Sequence, residues 1–276
     1  MKRGIATVLP AQLVIDDGDM RLWRALPLPS RQSLGPFVFI DHYRHRSKRG
    51  IGDRPHPHAG IEVLSYLLEG GMEHRDSMGF TDRLSAGDAQ WIRAGRGILH
   101  AEQPFGGRHG LQLWTSLPPA QKLAEPAYNS IRAADIPEIA RPGALVRVVA
   151  GRLDAIDGPM SLTSPTLFAH VRLEAGATVT LDLDPALELG LYVLDGAIEA
   201  KTPLGPGQLT MLTSGANLTL TATKAGPADI ALLGGASVEG PFLFSGPFVM
   251  DTQERLAQAK RDFSEGRMGT LDGVPF

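Results

Sequence analysis

Two short strings in this chain have the residue types and the spacing to hold a metal ion. Arg54-Pro55-His56-Pro57-His58 contains His-x-His, and Ile98-Leu99-His100-Ala101-Glu102 contains His-x-Glu. In an extended strand, side chains two apart project from the same face, about 6.6 Å apart along it. If the two strands are neighbours in an antiparallel barrel, three imidazoles and one carboxylate converge inside it. Three neutral nitrogens and one anionic oxygen suit divalent Fe, Ni, Mn, Cu or Zn. The plainer alternative is a set of isolated structural or surface histidines. Seven of the eight histidines lie between His42 and His109, and only His170 lies beyond, so imidazole chemistry belongs to the N-terminal half. The chain contains no Cys, which excludes disulfides, thiolate metal sites, iron–sulfur clusters and a thiol nucleophile.

The elements that must position these residues read as short strands. The 276 residues leave room for one or two domains. With 32 Gly and 21 Pro, nearly a fifth of the chain is turn-forming, which argues against a helical bundle. Apolar bursts at 37–40, 61–68, 89–92, 111–114, 167–173, 178–183 and 189–194 are separated by signals such as Glu69-Gly70-Gly71, Ala86-Gly87-Asp88 and Asp195-Gly196. This pattern predicts an all-β chain of antiparallel sandwich or barrel type. Tyr66-Leu67-Leu68-Glu69-Gly70 is echoed by Tyr192-Val193-Leu194-Asp195-Gly196, as two similar halves would produce. Residues 117–142 read as a linker with one short helix. A helix near the end is expected from Asp251, with Glu254 three residues on as a capping-box start. Leu256, Ala259 and Phe263 then share one face, and Gly266 serves as the C-cap.

Charge excludes little chemistry but several partners. Lys plus Arg number 27 against 30 Asp plus Glu, a net −3, too small for a general nucleic-acid or membrane field. The N-terminus lacks a signal-like apolar run, and no stretch approaches the roughly 20 apolar residues of a membrane span. A cytoplasmic location is expected, with no direct nucleic-acid or membrane partner. The basic run from His42 to Gly50 is expected to be a solvated loop, the alternative being an anion or partner patch near the metal mouth. His74 is expected to form local hydrogen bonds on a strand edge, and His109 to sit in a loop. Tyr66, Met72, Trp91 and Trp114 are expected in the barrel core, one or two of them lining a cavity beside the metal. Arg96 is expected to form a salt bridge or to face an anionic substrate.

His56-x-His58-x-x-x-Glu62, followed by Gly87-Asp88 and Gly95-x-x-x-x-His100, is similar to the two cupin motifs. PHPHAGIEVLSYLLEGGMEHRDSMG (55–79), GDAQWIRAGRGILHAE (87–102) and GPFVMDTQERLAQAKRDFSEGRMG (246–269) resemble the pirin family. The resemblance spans essentially the whole chain and is weakest from about residue 141 to 229. It implies two cupin-type β-barrels (bicupin, jelly-roll-like), here with the short C-terminal helix. Residues 1–130 would form the metal-binding cupin domain, and 131–276 a cupin-like domain without a metal. It implies His56, His58, His100 and Glu102 as ligands of one divalent transition metal, iron being the expected ion. Glu62 competes for the carboxylate role, since its spacing from His58 supplies that ligand in many other cupins. On a straight strand Glu62 lies about 13 Å from His58, whereas Glu102 is beside His100. Glu62 then orients an imidazole or is a structural acid. The resemblance further implies a quercetin 2,3-dioxygenase-like oxidoreductase acting on a small aromatic substrate such as a flavonol. Glu102 would be its catalytic base. The alternative is a metal- or redox-sensing regulatory protein, with the same ligands and a protein partner.

Overall fold

Period-two patterning is plainest in the strand Thr178–Asp182, where Val179 and Leu181 are buried and their neighbours exposed. It pairs antiparallel with Asn217–Thr221, whose Leu218 and Leu220 are buried likewise. Such strands have one wet face. Central strands such as Ala228–Gly235 are covered on both faces and are buried almost throughout. The structure, a computed structural model, describes residues 1–46, 52–238 and 240–271. Among them the single α-helix is Gln253–Ser264. No helix among the described residues is long and apolar enough to cross a membrane.

The chain divides into two compact units, neither of which is one continuous stretch. The histidine-bearing unit comprises Leu13–Arg24, Val38–Ala133 and Val238–Phe276; the other comprises Met1–Gln12, Ala25–Phe37 and Ala134–Ser237. A nine-stranded sheet runs Ala127–Ile131, Ala89–Arg93, Ile61–Asp76, Ile98–Ser116, Phe37–His45, Met20–Leu26, Gln12–Asp16. His56–His58 adds to Ile98–Ser116, and Thr81–Ser85 to Ile61–Asp76. A seven-stranded sheet runs Ile5–Pro10, Gln208–Leu212, Glu188–Asp195, Ala228–Gly235, Thr166–Leu173, Ala144–Ala150, Glu138–Arg141. Val146, Val171, Leu181, Val193 and Leu232 belong to the core of this second unit.

The sequence echo is a structural one. Phe37–His45, Ile61–Asp76, Ala89–Arg93 and Ile98–Ser116 lie in the sheet in the order third, second, fourth, first. Thr166–Leu173, Glu188–Asp195, Gln208–Leu212 and Ala228–Gly235 lie in the same order. Tyr66 faces Ala89 in one register and Tyr192 faces Leu209 in the other; both tyrosines are buried.

Several local expectations are corrected. Glu69-Gly70-Gly71 is not a turn but a bulged part of Ile61–Asp76, with register shifts on either side of Glu69 and Gly70. Gly70 has φ +75°, and a Cβ there would lie 2.1 Å from the Gly107 carbonyl oxygen, so the bulge requires glycine. The start of the basic run is not a solvated loop. His42, Tyr43 and His45 end the strand Phe37–His45 and are buried, because the strand lies inside the sheet; residues 47–51 lie outside the described residues. His109 is buried within Ile98–Ser116, its Nε2 2.8 Å from that of His42. His74 is not on an edge: the strand Ile61–Asp76 has a neighbour on both sides there, opposite Asp82 and Glu102. The expected linker contains two strands, Ala127–Ile131 and Glu138–Arg141, pairing with Ala89–Arg93 and Ala144–Ala150. Short edge strands with mixed burial lack the apolar signature that sequence patterning detects. The C-terminal helix is capped by Thr252, whose hydroxyl accepts from the Arg255 amide, not by Asp251; the Asp251 carboxylate instead pairs with the Arg255 guanidinium at 2.6 Å. Leu256 and Ala259 are buried against Phe248, Met250 and Met268 as expected, whereas Phe263 is largely exposed.

Candidate metal centre

The strand His56–His58 pairs antiparallel with Ile98–Ser116 so that His56 lies opposite His100 and His58 opposite Ile98. After His58 the chain turns at Gly60, with φ +77°. A Cβ there would meet the Val249 carbonyl oxygen at 2.1 Å, so only glycine lets this turn pack. The imidazole centroids stand 4.2 Å apart for His56 and His100, 4.9 Å for His58 and His100, and 5.1 Å for His56 and His58. One nitrogen of each lies within 4.8 Å of the other two.

The hydrogen bonds orient these rings. His56 Nδ1 donates to the Arg54 carbonyl at 2.9 Å and His58 Nδ1 to the Pro247 carbonyl at 3.3 Å, which turns Nε2 of each into the acceptor nitrogen. His58 Nε2 and both nitrogens of His100 are buried with no hydrogen-bond partner among the described residues. Buried ring nitrogens left unpaired are costly, and a cation between them is what would satisfy them. The donor set therefore fits a divalent transition metal.

Glu102 follows His100 by two residues, with Oε1 3.8 Å from His100 Nδ1. The Gln90 amide donates to Oε1 at 2.6 Å and the Arg108 guanidinium to Oε2 at 3.0 Å. Glu102 falls in a second cluster, with His74 and His100, that shares His100 with the first. Glu62 stands in neither cluster; its two oxygens accept from the Trp91 indole at 3.1 Å and the Thr115 hydroxyl at 3.2 Å. The carbonyls of Arg54 and Pro247 take the imidazole-orienting role considered for it.

The pirin family model matches residues 19–115, and that of the pirin C-terminal cupin domain matches residues 168–269. A Vibrio cholerae protein provisionally named quercetin 2,3-dioxygenase is 34% identical, over 97% of this chain and 98% of its own. The chain belongs to the pirin family. Human pirin is 33% identical over 90% of this chain and 88% of its own. The crystal structure of quercetin 2,3-dioxygenase from Acinetobacter baumannii superposes with a TM-score of 0.88 at 28% identity, covering 98% of this chain and 99% of that one. The two units of this pirin are thus cupin-type β-barrels, and the molecule is an all-β bicupin with one short helix.

Burial sets the electrostatics of the pirin cluster. Desolvation, with the neighbouring His56 second, pushes the His58 imidazole down to about 3. Desolvation followed by the adjacent imidazoles holds His100 well below the usual histidine range. Both rings are therefore neutral at neutral pH, the form that binds metal.

Sequence reasoning missed Gln90, Arg108 and His74 at this site. His74 is fully buried, bonds Asp76 at 3.2 Å and stacks on Tyr128 at 4.3 Å; its two-residue spacing from Asp76 was the available signal. Trp114, as expected, lines a cavity of about 380 Å³ together with Phe39, His56, His58 and Glu102. Tyr66 and Met72 are core residues. Arg96 makes an exposed salt bridge to Glu125 at 2.9 Å.

Proposed function

We propose that this pirin is a metal-dependent dioxygenase of the quercetin 2,3-dioxygenase type, opening the central ring of a flavonol. One divalent transition metal ion, iron, is held by His56, His58, His100 and Glu102 in the histidine-bearing barrel. The observation that carries this reading is the convergence of buried, unpartnered imidazole nitrogens beside an apolar cavity of substrate size. The names of the Vibrio and Acinetobacter relatives support the same chemistry. In the other barrel, His170 is paired with Asp229 at 2.9 Å and takes no part.

A bound ion, held by His56, His58, His100 and Glu102, would supply Lewis acidity toward an enolic hydroxyl. The Glu102 carboxylate accepts the hydroxyl proton. Gln90 and Arg108 each donate to that carboxylate and keep it in one orientation. Phe39 and Trp114, stacked on each other at 4.0 Å, give the cavity an apolar side beside which a planar ring system is positioned and from which water is excluded.

The test is metal analysis of protein expressed with added iron, followed by an oxygen electrode with a flavonol panel. One equivalent of metal, flavonol-dependent oxygen uptake and loss of both on chelation are expected. A metal-loaded protein that consumes no oxygen with any flavonol or catechol overturns the enzymatic reading in favour of a regulatory, partner-binding pirin.

A further inference from the structure

The cavity wall contains a charged pair that the ring-opening chemistry does not use. Arg24 Nε donates to Asp41 Oδ1 at 2.9 Å and its terminal nitrogen to Oδ2 at 2.8 Å. Asp41 is 4% exposed, and both residues line the same cavity as His58 and Glu102. A carboxylate offers about four lone-pair sites and a guanidinium five N–H donors. Arg24 fills two of the four, and no other described residue donates to Asp41. The remaining Arg24 donors have no partner among the described residues. Burial, only partly offset by Arg24, pushes the Asp41 carboxyl up to about 6, as befits a carboxylate with unfilled acceptor sites.

The pair also stands at one end of a continuous stack. The Arg24 guanidinium lies over Phe39 at 4.4 Å, Phe39 stacks on Trp114 at 4.0 Å and 12°, and Trp114 meets His58 edge-on at 5.0 Å. A flat aromatic ligand lying along this wall, with its reacting end at the imidazoles, presents its other end to Arg24 and Asp41.

We propose that Arg24 and Asp41 are the specificity-determining pair of this cavity, selecting substrates whose distal ring carries vicinal hydroxyl groups. A phenolic hydroxyl is both donor and acceptor. It gives its proton to an unfilled Asp41 lone pair and accepts from an unused Arg24 N–H; two adjacent hydroxyls engage both groups. A bare ring leaves the buried acceptor sites unfilled, and a carboxylate or sulfate there meets the Asp41 charge. Choosing a flavonol as ligand rests on the dioxygenase reading above, but the discrimination itself is a binding property.

The experiment titrates metal-loaded protein with three flavonols differing only in that ring: quercetin (two hydroxyls), kaempferol (one) and galangin (none). Quenching of tryptophan fluorescence reports binding, and oxygen uptake is followed separately. Wild type is expected to bind in that order, with quercetin ahead of galangin by roughly 10- to 100-fold, as for hydrogen bonds to charged groups. In Asp41→Asn and, independently, Arg24→Gln, the quercetin-to-galangin ratio should fall to within about twofold while bound metal is unchanged. Equal wild-type affinities for the three, or a variant that weakens all three alike, overturns the proposal. The wild-type comparison stands even if a variant fails to fold. Ring-dependent binding without oxygen uptake supports this proposal while overturning the dioxygenase reading; no flavonol binding by metal-loaded wild type overturns both.

Discussion

Arg108 donates to Glu102 across 3.0 Å with both side chains almost wholly removed from solvent, at 3% and 4% exposure. The same guanidinium lies 4.7 Å from the centre of the Tyr43 ring, so its position is set by packing as well as by charge. Removing one partner of a buried pair leaves the other charge uncompensated, at a cost of about 3–5 kcal/mol. Arg108→Met should destabilise the metal-free protein by that order. With metal bound at His100 and Glu102, the loss should be smaller, because the cation supplies the missing positive charge. Chemical denaturation with and without metal checks this; equal losses in both states would separate Glu102 from the metal.

The two competing carboxylates should part on substitution. Glu102→Ala should weaken metal binding by tenfold or more, whereas Glu62→Ala should leave metal affinity near wild type. The latter should instead lower stability by about 1–3 kcal/mol, since the Trp91 and Thr115 donors lose their acceptor. Calorimetric metal titration of both variants decides. An emptied site in Glu62→Ala alone would reverse the assignment.

Glu102→Gln nearly keeps the shape but removes the base. Flavonol turnover at equal metal occupancy should fall by roughly 10²- to 10⁴-fold. Unchanged turnover with metal retained would remove Glu102 from proton transfer.

Acid should weaken the fold and the metal site together. The imidazole of His58 is depressed to about 3 and that of His100 well below its ordinary value. Between the unfolded value of about 6.5 and these folded values, the unfolded chain binds protons that the folded chain does not. Stability is therefore fully present above about pH 6.5 and is lost as pH falls toward 3. Asp41, raised to about 6, acts oppositely: its contribution is present below about pH 4 and lost as pH rises through 6. With His42 likewise held well below its ordinary value by burial, three depressed imidazoles outweigh one raised carboxyl, so the net stability of metal-free protein should decline from about pH 6.5 to about 4. Denaturation midpoints across that range test the sign. His58→Gln should flatten the slope.

Lys122 is buried, its ammonium donating to the Gly60 and Val249 carbonyls, each at 2.8 Å, and to the Ser116 hydroxyl at 2.9 Å. It ties the turn after His58 to the strand Phe248–Met250, just beyond the Pro247 carbonyl that accepts from His58. Lys122→Met removes three hydrogen bonds, although the Gly60 carbonyl keeps the Leu117 amide at 3.2 Å, and should cost about 2 kcal/mol or more, at about 1–3 kcal/mol for each buried group left unpaired. Metal affinity should fall with it, because the Gly60 turn is freed. A destabilised variant with wild-type metal affinity would show that the clamp serves the fold alone.

What the amino-acid sequence determines by itself is local. Spacings of two put His56 with His58, and His100 with Glu102, on common strand faces, because the side-chain period of a strand is two whatever surrounds it. The absence of Cys confines the donors to nitrogen and oxygen, the density of Gly and Pro argues against a helical bundle, and the 3.6-residue period announces the terminal helix, with each cap misplaced by one residue and Phe263 exposed. Tertiary structure decides everything that depends on register. Which strand lies beside His56–His58, and that His100 rather than Leu99 stands opposite His56, follows from long-range pairing between segments more than forty residues apart. The same pairing carries Gln90 and Arg108 to Glu102, holds Glu62 between Trp91 and Thr115, and sets Asp41 into the cavity beside Arg24. Arg24, Asp41 and Arg108 carry no periodic or motif signal of their own. Each acquires its role from a hydrogen bond that only the folded barrel, with water excluded, brings within reach.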